Sequence, residues 1–150
     1  MSVKIEGIST KHLDRLHEIE MECFEKEAFT KQQIAYLLTD HNSTGLIAEL
    51  NGEIAGFVIG KIHRDRKSAT GHVLTIDVSP KHRRKGIGLR LLQEIERIFK
   101  DKGVRVCFLE AREDNIAALS LYRKFGYGEA GRLENYYGNA HGVRLRKTLT

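Results

Sequence analysis

The stretch Arg83-Arg84-Lys85-Gly86-Ile87-Gly88 constrains this chain most. A strand-like run, Val73 to Val78, leads into it through Ser79 and Pro80, and a long amphipathic run, Leu89 to Lys102, leads out. Two glycines two apart let a backbone turn tightly and approach a ligand closely. The helix beyond aims its first free N–H groups, and the positive end of its dipole, at whatever sits there. Such a strand–turn–helix junction is a site for phosphate. Lys81, Arg83, Arg84 and Lys85 add positive charge. Without that context the same residues would read as a solvated basic loop capping a helix. A Walker loop is excluded, because Gly88 is followed by Leu89-Arg90 where Lys-Ser or Lys-Thr is needed. A dinucleotide fingerprint is excluded too: Leu91 stands in place of its third glycine, and the strand before the loop follows a hairpin, not an N-terminal βαβ unit.

The rest of the chain supplies the elements around this junction. Val3 to Ile8 reads as a first strand. Ser9 or Thr10 can cap a helix in which Leu13, Leu16, Ile19 and Cys23 recur at helical spacing. Residues 25–29 break that pattern, and Thr30 caps a second helix carrying Ile34, Leu37 and Leu38. Asn51-Gly52 is a strong hairpin signal between strands Gly45–Leu50 and Ile54–Ile62. A third strand, Gly71 to Val78, follows a charged turn. The helix from Gly86 to Lys102 presents Ile87, Leu91, Leu92, Ile95, Ile98 and Phe99 on one face, and Gly103 suits its end. Val104 to Ala111 is nearly continuous in apolar residues, as expected of a strand buried on both faces. Asn115 can cap a last helix with Ala118, Leu121, Tyr122 and Phe125 inward, ended by Gly126. Tyr127 to Tyr137 and Val143 to Leu149 read as two final strands around Gly138-Asn139. The predicted order is βααβββαβαββ: an α/β fold with a mixed sheet covered by helices on both faces, one domain spanning 1–150.

Composition narrows the function classes. With 41% hydrophobic and 30% charged residues the chain reads as globular, and no apolar run is long enough to span a bilayer. No signal-peptide core follows Met1, so the expected location is the cytoplasm, with no membrane partner. Cys23 and Cys107 sit among apolar residues and read as buried free thiols. The seven histidines are scattered, without a ligand spacing, and no metal is expected. A net charge of +5 favours anionic partners. The bases outside 81–85 are too dispersed for a specific nucleic-acid footprint.

A second motif completes the picture. In Asn115-Ile116-Ala117-Ala118-Leu119-Ser120-Leu121-Tyr122-Arg123-Lys124-Phe125-Gly126-Tyr127, together with Arg83-x-x-Gly86-x-Gly88, the chain resembles the GCN5-related N-acetyltransferases (GNAT). The element order agrees over nearly the whole length. Gly71-His72-Val73, His82 to Gly88, Leu109 to Asn115 and Tyr136-Tyr137 resemble the protein N-terminal acetyltransferases of RimI and Ard1 type. The chain departs from them at Asp77, where a small residue is usual, and at Glu113-Asp114 before Asn115.

The resemblance implies the acyl-CoA N-acyltransferase fold and transfer of acetyl from acetyl-CoA to a protein or peptide α-amine by direct attack in a ternary complex. It implies that backbone N–H groups of Arg84, Lys85, Gly86, Ile87, Gly88 and Leu89, beside Arg83, hold the pyrophosphate. Ile76 and Val78 would meet the pantetheine arm in a gap where the Val78 and Glu110 strands splay apart, with the Val78 N–H as oxyanion donor. Asn115 would hydrogen-bond the pantetheine. Glu110 matches the general base and Tyr122 the acid that protonates departing CoA. Read alone, Glu110 is a strand-end carboxylate emerging into solvent and Tyr122 a core aromatic. Period-2 alternation puts Glu110 on the face of Val106 and Phe108, where partial desolvation is expected to raise its pKa. Asp77 is a rival base expected to be structural. Phe29, Tyr136 and Tyr137 would wall the peptide site; ordinary aromatic packing is the other reading. Association with the ribosome or an auxiliary subunit is compatible with the resemblance. Competing classes are an N-acetyltransferase of small amines (polyamine, amino acid or aminoglycoside), a non-catalytic acyl-CoA-binding module and, more weakly, a nucleic-acid binder.

Overall fold

Local chemistry sets the ends of most elements. The computed structural model describes residues 2–24 and 26–150; Met1 and Glu25, the latter in the segment expected to interrupt the first helical pattern, lie outside them. The strands are β1 (Val3–Gly7), β2 (Ser43–Leu50), β3 (Glu53–Arg64), β4 (Ala69–Val78), β5 (Val106–Arg112), β6 (Gly128–Leu133) and β7 (Gly142–Thr148). The helices are α1 (Leu13–Cys23), α2 (Lys31–Thr39), α3 (Ile87–Asp101) and α4 (Ile116–Lys124). Thr30 starts α2 with a reciprocal cap: its Oγ1 accepts from Gln33 N at 3.1 Å, and its N donates to Gln33 Oε1 at 2.8 Å. Asn51 (φ 53°) and Gly52 (φ 81°) form the two-residue turn joining β2 to β3. Among the described residues no helix is long and apolar enough to cross a membrane.

The sheet runs β1-β2-β3-β4-β5-β7-β6, antiparallel except for β4 with β5. Two apolar cores lie on its two faces. On one, α3 buries Ile87, Leu91, Leu92, Ile95 and Phe99, and α4 adds Leu119 and Tyr122. On the other, Leu16, Ile19 and Ile34 of α1 and α2 cover Ile47, Phe57 and Ile59. Gly71 lets α3 settle onto β4: a Cβ there would come within 2.5 Å of the Phe99 ring.

Three expectations fail in instructive ways. β5 is not buried on both faces: Cys107, Leu109 and Ala111 are buried, whereas Val106, Phe108, Glu110 and Arg112 are half-buried. The cause is that α1 and α2 lie over β2, β3 and β4 and leave that face of β5 uncovered. The sixth strand stops at Leu133, because Asn135 and Gly138 turn the chain at positive φ, so Tyr136 and Tyr137 belong to a loop. Cys23 is half-buried, while Cys107 is buried.

A pair of acids fastens α1 to β4. Glu20 and Asp77 are each only 1% exposed. The Thr75 hydroxyl lies 2.9 Å from Glu20 Oε1 and 2.6 Å from Asp77 Oδ1. Glu20 Oε2 accepts from Phe29 N at 2.9 Å, which ties the α1–α2 loop to the same point. Burial, then the hydrogen bond and charge of Glu20, push the Asp77 carboxyl well above the usual carboxylate range. A carboxyl whose pKa is raised by folding contributes stability below its unfolded value, and that contribution is lost as pH rises through the folded value. Asp77→Asn keeps the shape and removes the ionisable proton. It should raise the melting temperature more at pH 8 than at pH 4, measured by thermal unfolding across pH; equal effects at both would refute this account.

Candidate active site

The site begins where two strands part. β4 and β5 pair only from Thr70 to His72 against Val106 to Phe108. Beyond that, β4 continues to Val78 and β5 to Arg112 without pairing to each other. A bulge bends β4 at this point: Ile59 faces Thr75 and Gly60 faces Val73, which leaves Leu74 as the extra residue. The bulge also reverses the alternation of side chains. Val73 packs on the α3 side, Leu74 on the α1 side, and Thr75 and Asp77 reach Glu20 on α1, while Ile76 and Val78 point back to the α3 side. Ser79 N bonds Ala55 O at 2.8 Å on β3. By strand alternation the Val78 N–H points the other way, into the gap. The Val78 carbonyl accepts from Arg83 Nε at 3.2 Å and from the Cys23 thiol at 3.4 Å. Burial, then the Asp77 charge, push that thiol up to about 11, which keeps it a donor.

The loop between β4 and α3 closes one end of the gap. Arg84 (φ 64°) and Gly86 (φ 76°) are both left-handed. Among the described residues nothing accepts from the N–H groups of Arg84 to Leu89; the first bond of α3 runs from Arg90 N to Gly86 O at 3.1 Å. Six free donors on a folded-back loop at a helix N-terminus form an anion cradle. Gly88 adopts no left-handed φ; a Cβ there would sit 3.5 Å from Val78 Cγ2 and 3.9 Å from Leu121 Cδ2. The basic side chains are mostly engaged elsewhere. Arg83 holds the end of β4, Lys81 pairs with Glu53 at 2.7 Å, and Lys85 Nζ lies 3.4 Å from His82 Nδ1.

Glu110 faces the gap from β5. Its side chain is 8% exposed, on the face of Val106 and Phe108. Oε1 is 2.6 Å from His72 Nε2, and Oε2 accepts from Arg144 Nε at 3.2 Å. The expected rise in its pKa is not found. Burial pushes it up, but the hydrogen bond and charge of His72, then Arg144, outweigh burial and hold it below the usual range. Glu110 is therefore ionised, and His72 donates to it. Tyr122 is buried in the α3-side core, and burial, then the Asp77 charge, keep its phenol protonated. Asn115 Oδ1 caps α4, accepting from Ala118 N at 3.1 Å.

The rim is aromatic and uneven. Tyr136 and Tyr137 pack edge to face with ring centres 4.9 Å apart, and Tyr136 is 50% exposed. Burial raises both phenols, and the Glu110 charge adds to each; both side chains lie against Gly142, which pairs with Arg112 at the end of β5. Phe29 is half-buried and packs in part against the core beneath α1 and α2. The residues that sequence reading missed are the partners: His72 and Arg144 on Glu110, and Glu20 on Asp77. Strand alternation gives the face of Glu110, but the register between β4 and β5, which sets His72 beside it, leaves no local signal.

The model of the acetyltransferase (GNAT) family matches residues 13–127. An N-alpha-acetyltransferase of Sulfolobus acidocaldarius is 31% identical over 117 residues, 72% of this chain and 70% of the relative. The ribosomal protein bS18-alanine N-acetyltransferase of Escherichia coli is 34% identical over 92 residues, 61% of this chain and 60% of the relative. The crystal structure of Ard1 from Thermoplasma volcanium superposes with a TM-score of 0.91 and 21% identity, covering 100% of this chain and 99% of that one. A parted β4–β5 pair beside a free N–H cradle, on a chain whose family match takes in both, leads to one assignment: the protein belongs to the acetyltransferase (GNAT) family.

Proposed function

We propose that this protein acetylates the α-amino group of protein N-termini, using acetyl-CoA. The observation that carries the reading is the gap itself, with the Val78 N–H on one wall and an ionised Glu110 on the other. The relatives named for N-terminal and ribosomal-protein-alanine acetylation support the α-amine as acceptor. The half-exposed rim at Tyr136 suits a substrate that continues outward as a chain more than a free small amine. The 150 residues act as one catalytic domain in the cytoplasm, with the ribosome or an auxiliary subunit as a further partner.

The free N–H groups of Arg84 to Leu89 fit a pyrophosphate. Ile76 and Val78 flank the pantetheine arm, and Asn115 has its amide N–H groups left to donate to it. An α-amine has a pKa of about 8 and arrives mostly protonated. Glu110 accepts that proton, directly or through water. The amine nitrogen then bonds the thioester carbon while the Val78 N–H donates to the carbonyl oxygen. As the carbon–sulfur bond breaks, the thiolate takes the Tyr122 proton, the newly acylated nitrogen sheds its second proton to water, and water returns a proton to the phenolate. Phe29, Tyr136 and Tyr137 wall the first residues of the substrate.

A panel of short peptides with acetyl-CoA tests the reading. Product is expected only with a free α-amine; faster turnover of a polyamine or aminoglycoside than of any peptide would overturn it. Glu110→Gln should lower kcat by about 10²-fold with unchanged acetyl-CoA affinity. Because Glu110 is held below the usual carboxylate range, kcat/KM should rise toward pH ~8 with the substrate amine, with no enzyme carboxylate limb near neutrality. Gly86→Val forces a branched side chain into left-handed backbone and should abolish CoA binding, while Lys85→Ala should weaken it by less than about tenfold, read by calorimetry.

A further inference from the structure

Arg112, the last residue of β5, touches three loops at once. Nη1 donates to Glu27 Oε1 at 3.1 Å, in the loop between α1 and α2. Nε and Nη2 donate to the two oxygens of Asp114 at 3.0 and 3.2 Å, in the loop leading to α4. The guanidinium carbon lies 5.9 Å from the centre of the Tyr137 ring, in the loop between β6 and β7. Glu27 stands two residues before Phe29, and Tyr137 adjoins Tyr136. The two walls proposed for the peptide are thus joined through one side chain, which is itself half-buried.

The chemistry requires arginine. A planar fork grips Asp114 with two parallel bonds, keeps another nitrogen for Glu27 and offers its flat face to an aromatic ring. A lysine ammonium carries the same charge but cannot hold all three directions. Arg112 also offsets charge, since without it Glu27 and Asp114 would leave two uncompensated carboxylates at the rim.

We infer that Arg112 is a positioning residue for the polypeptide substrate, setting the width and charge of the slot between the α1–α2 and β6–β7 loops. The inference rests on the peptide reading above. Arg112 contacts neither the anion cradle nor the Val78 end of the gap, so its effect falls on the acceptor and spares the donor.

Steady-state kinetics on the full chain, with free N-terminal peptides and acetyl-CoA, tests it. Arg112→Gln and Arg112→Lys should each raise the KM for a neutral peptide by about tenfold, with kcat and the acetyl-CoA KM changed by less than about threefold. Only Arg112→Gln should further penalise a peptide with an acidic second residue, because only it exposes the two carboxylates. Glu27→Gln should raise the peptide KM less, and the double variant Arg112→Gln/Glu27→Gln should be less than additive, as for two ends of one contact. An unmoved peptide KM, or acetyl-CoA KM rising in parallel, would overturn the Arg112 assignment alone. No turnover of any peptide by the unaltered protein would overturn both this inference and the function it rests on.

Discussion

Beyond His72 and Phe108, β4 and β5 stop pairing, and every feature of the site follows from that loss. Two adjacent parallel strands normally share their full ladder, and each unpaired buried backbone group costs about 1–3 kcal/mol. The bulge at Leu74 turns β4 aside so that the ladder cannot continue. Part of the lost bonding is made up locally: Arg83 and Cys23 take the Val78 carbonyl, and β3 takes Ser79. The Val78 N–H is left facing the gap. Arg83, which by sequence reads as a phosphate ligand, therefore has a second use as the brace that holds the strand end open.

Three acids, Glu96 on α3, Asp77 on β4 and Glu110 on β5, share one chemistry and differ in surroundings. Glu96 sits 6% exposed on the α3 side, bonded by Lys147 Nζ at 2.9 Å and Tyr127 OH at 2.7 Å. Its cation and donor make it a structural ion pair, with Lys147 also over the Phe125 ring at 3.6 Å. Asp77 has no cation of comparable closeness and a second carboxyl beside it, so burial wins and its carboxyl is pushed well above the usual range. Glu110 has burial opposed by His72 and Arg144, and the pairing wins. Location on a strand does not decide the protonation state; the partners do.

Much of the fold was legible from the chain. The Thr30 and Asn115 caps, the Asn51-Gly52 turn and the α3 stripe are local signals, and each is where the residues put it. The Glu110 face was legible as well, because alternation needs no partner. What lay out of reach depended on long-range placement. The continuous apolar run of β5 reads as doubly buried, but apolarity does not tell which face a helix will cover. The depressed pKa of Glu110 required a histidine 38 residues away and an arginine 34 residues away. Tyr136 and Tyr137 read as the end of a strand running from Tyr127, while the left-handed Asn135 and Gly138 put them in a loop.

The two carboxyls nearest the gap divide its work in the proposed mechanism. A base must arrive ionised to accept a proton, and Asp77, pushed well above the usual carboxylate range by burial and Glu20, is the harder of the two to ionise. Its task is to keep α1 and the Phe29 segment against β4. Glu110 is ionised but weakened as a base by the same partners that keep it so. Arg144, 44% exposed at its side chain, is the weaker of the two partners that set this mismatch with an amine of pKa about 8. Losing Arg144 leaves burial and His72 in closer balance and raises the Glu110 pKa toward the amine. The Arg144 contact thus helps keep the base charged.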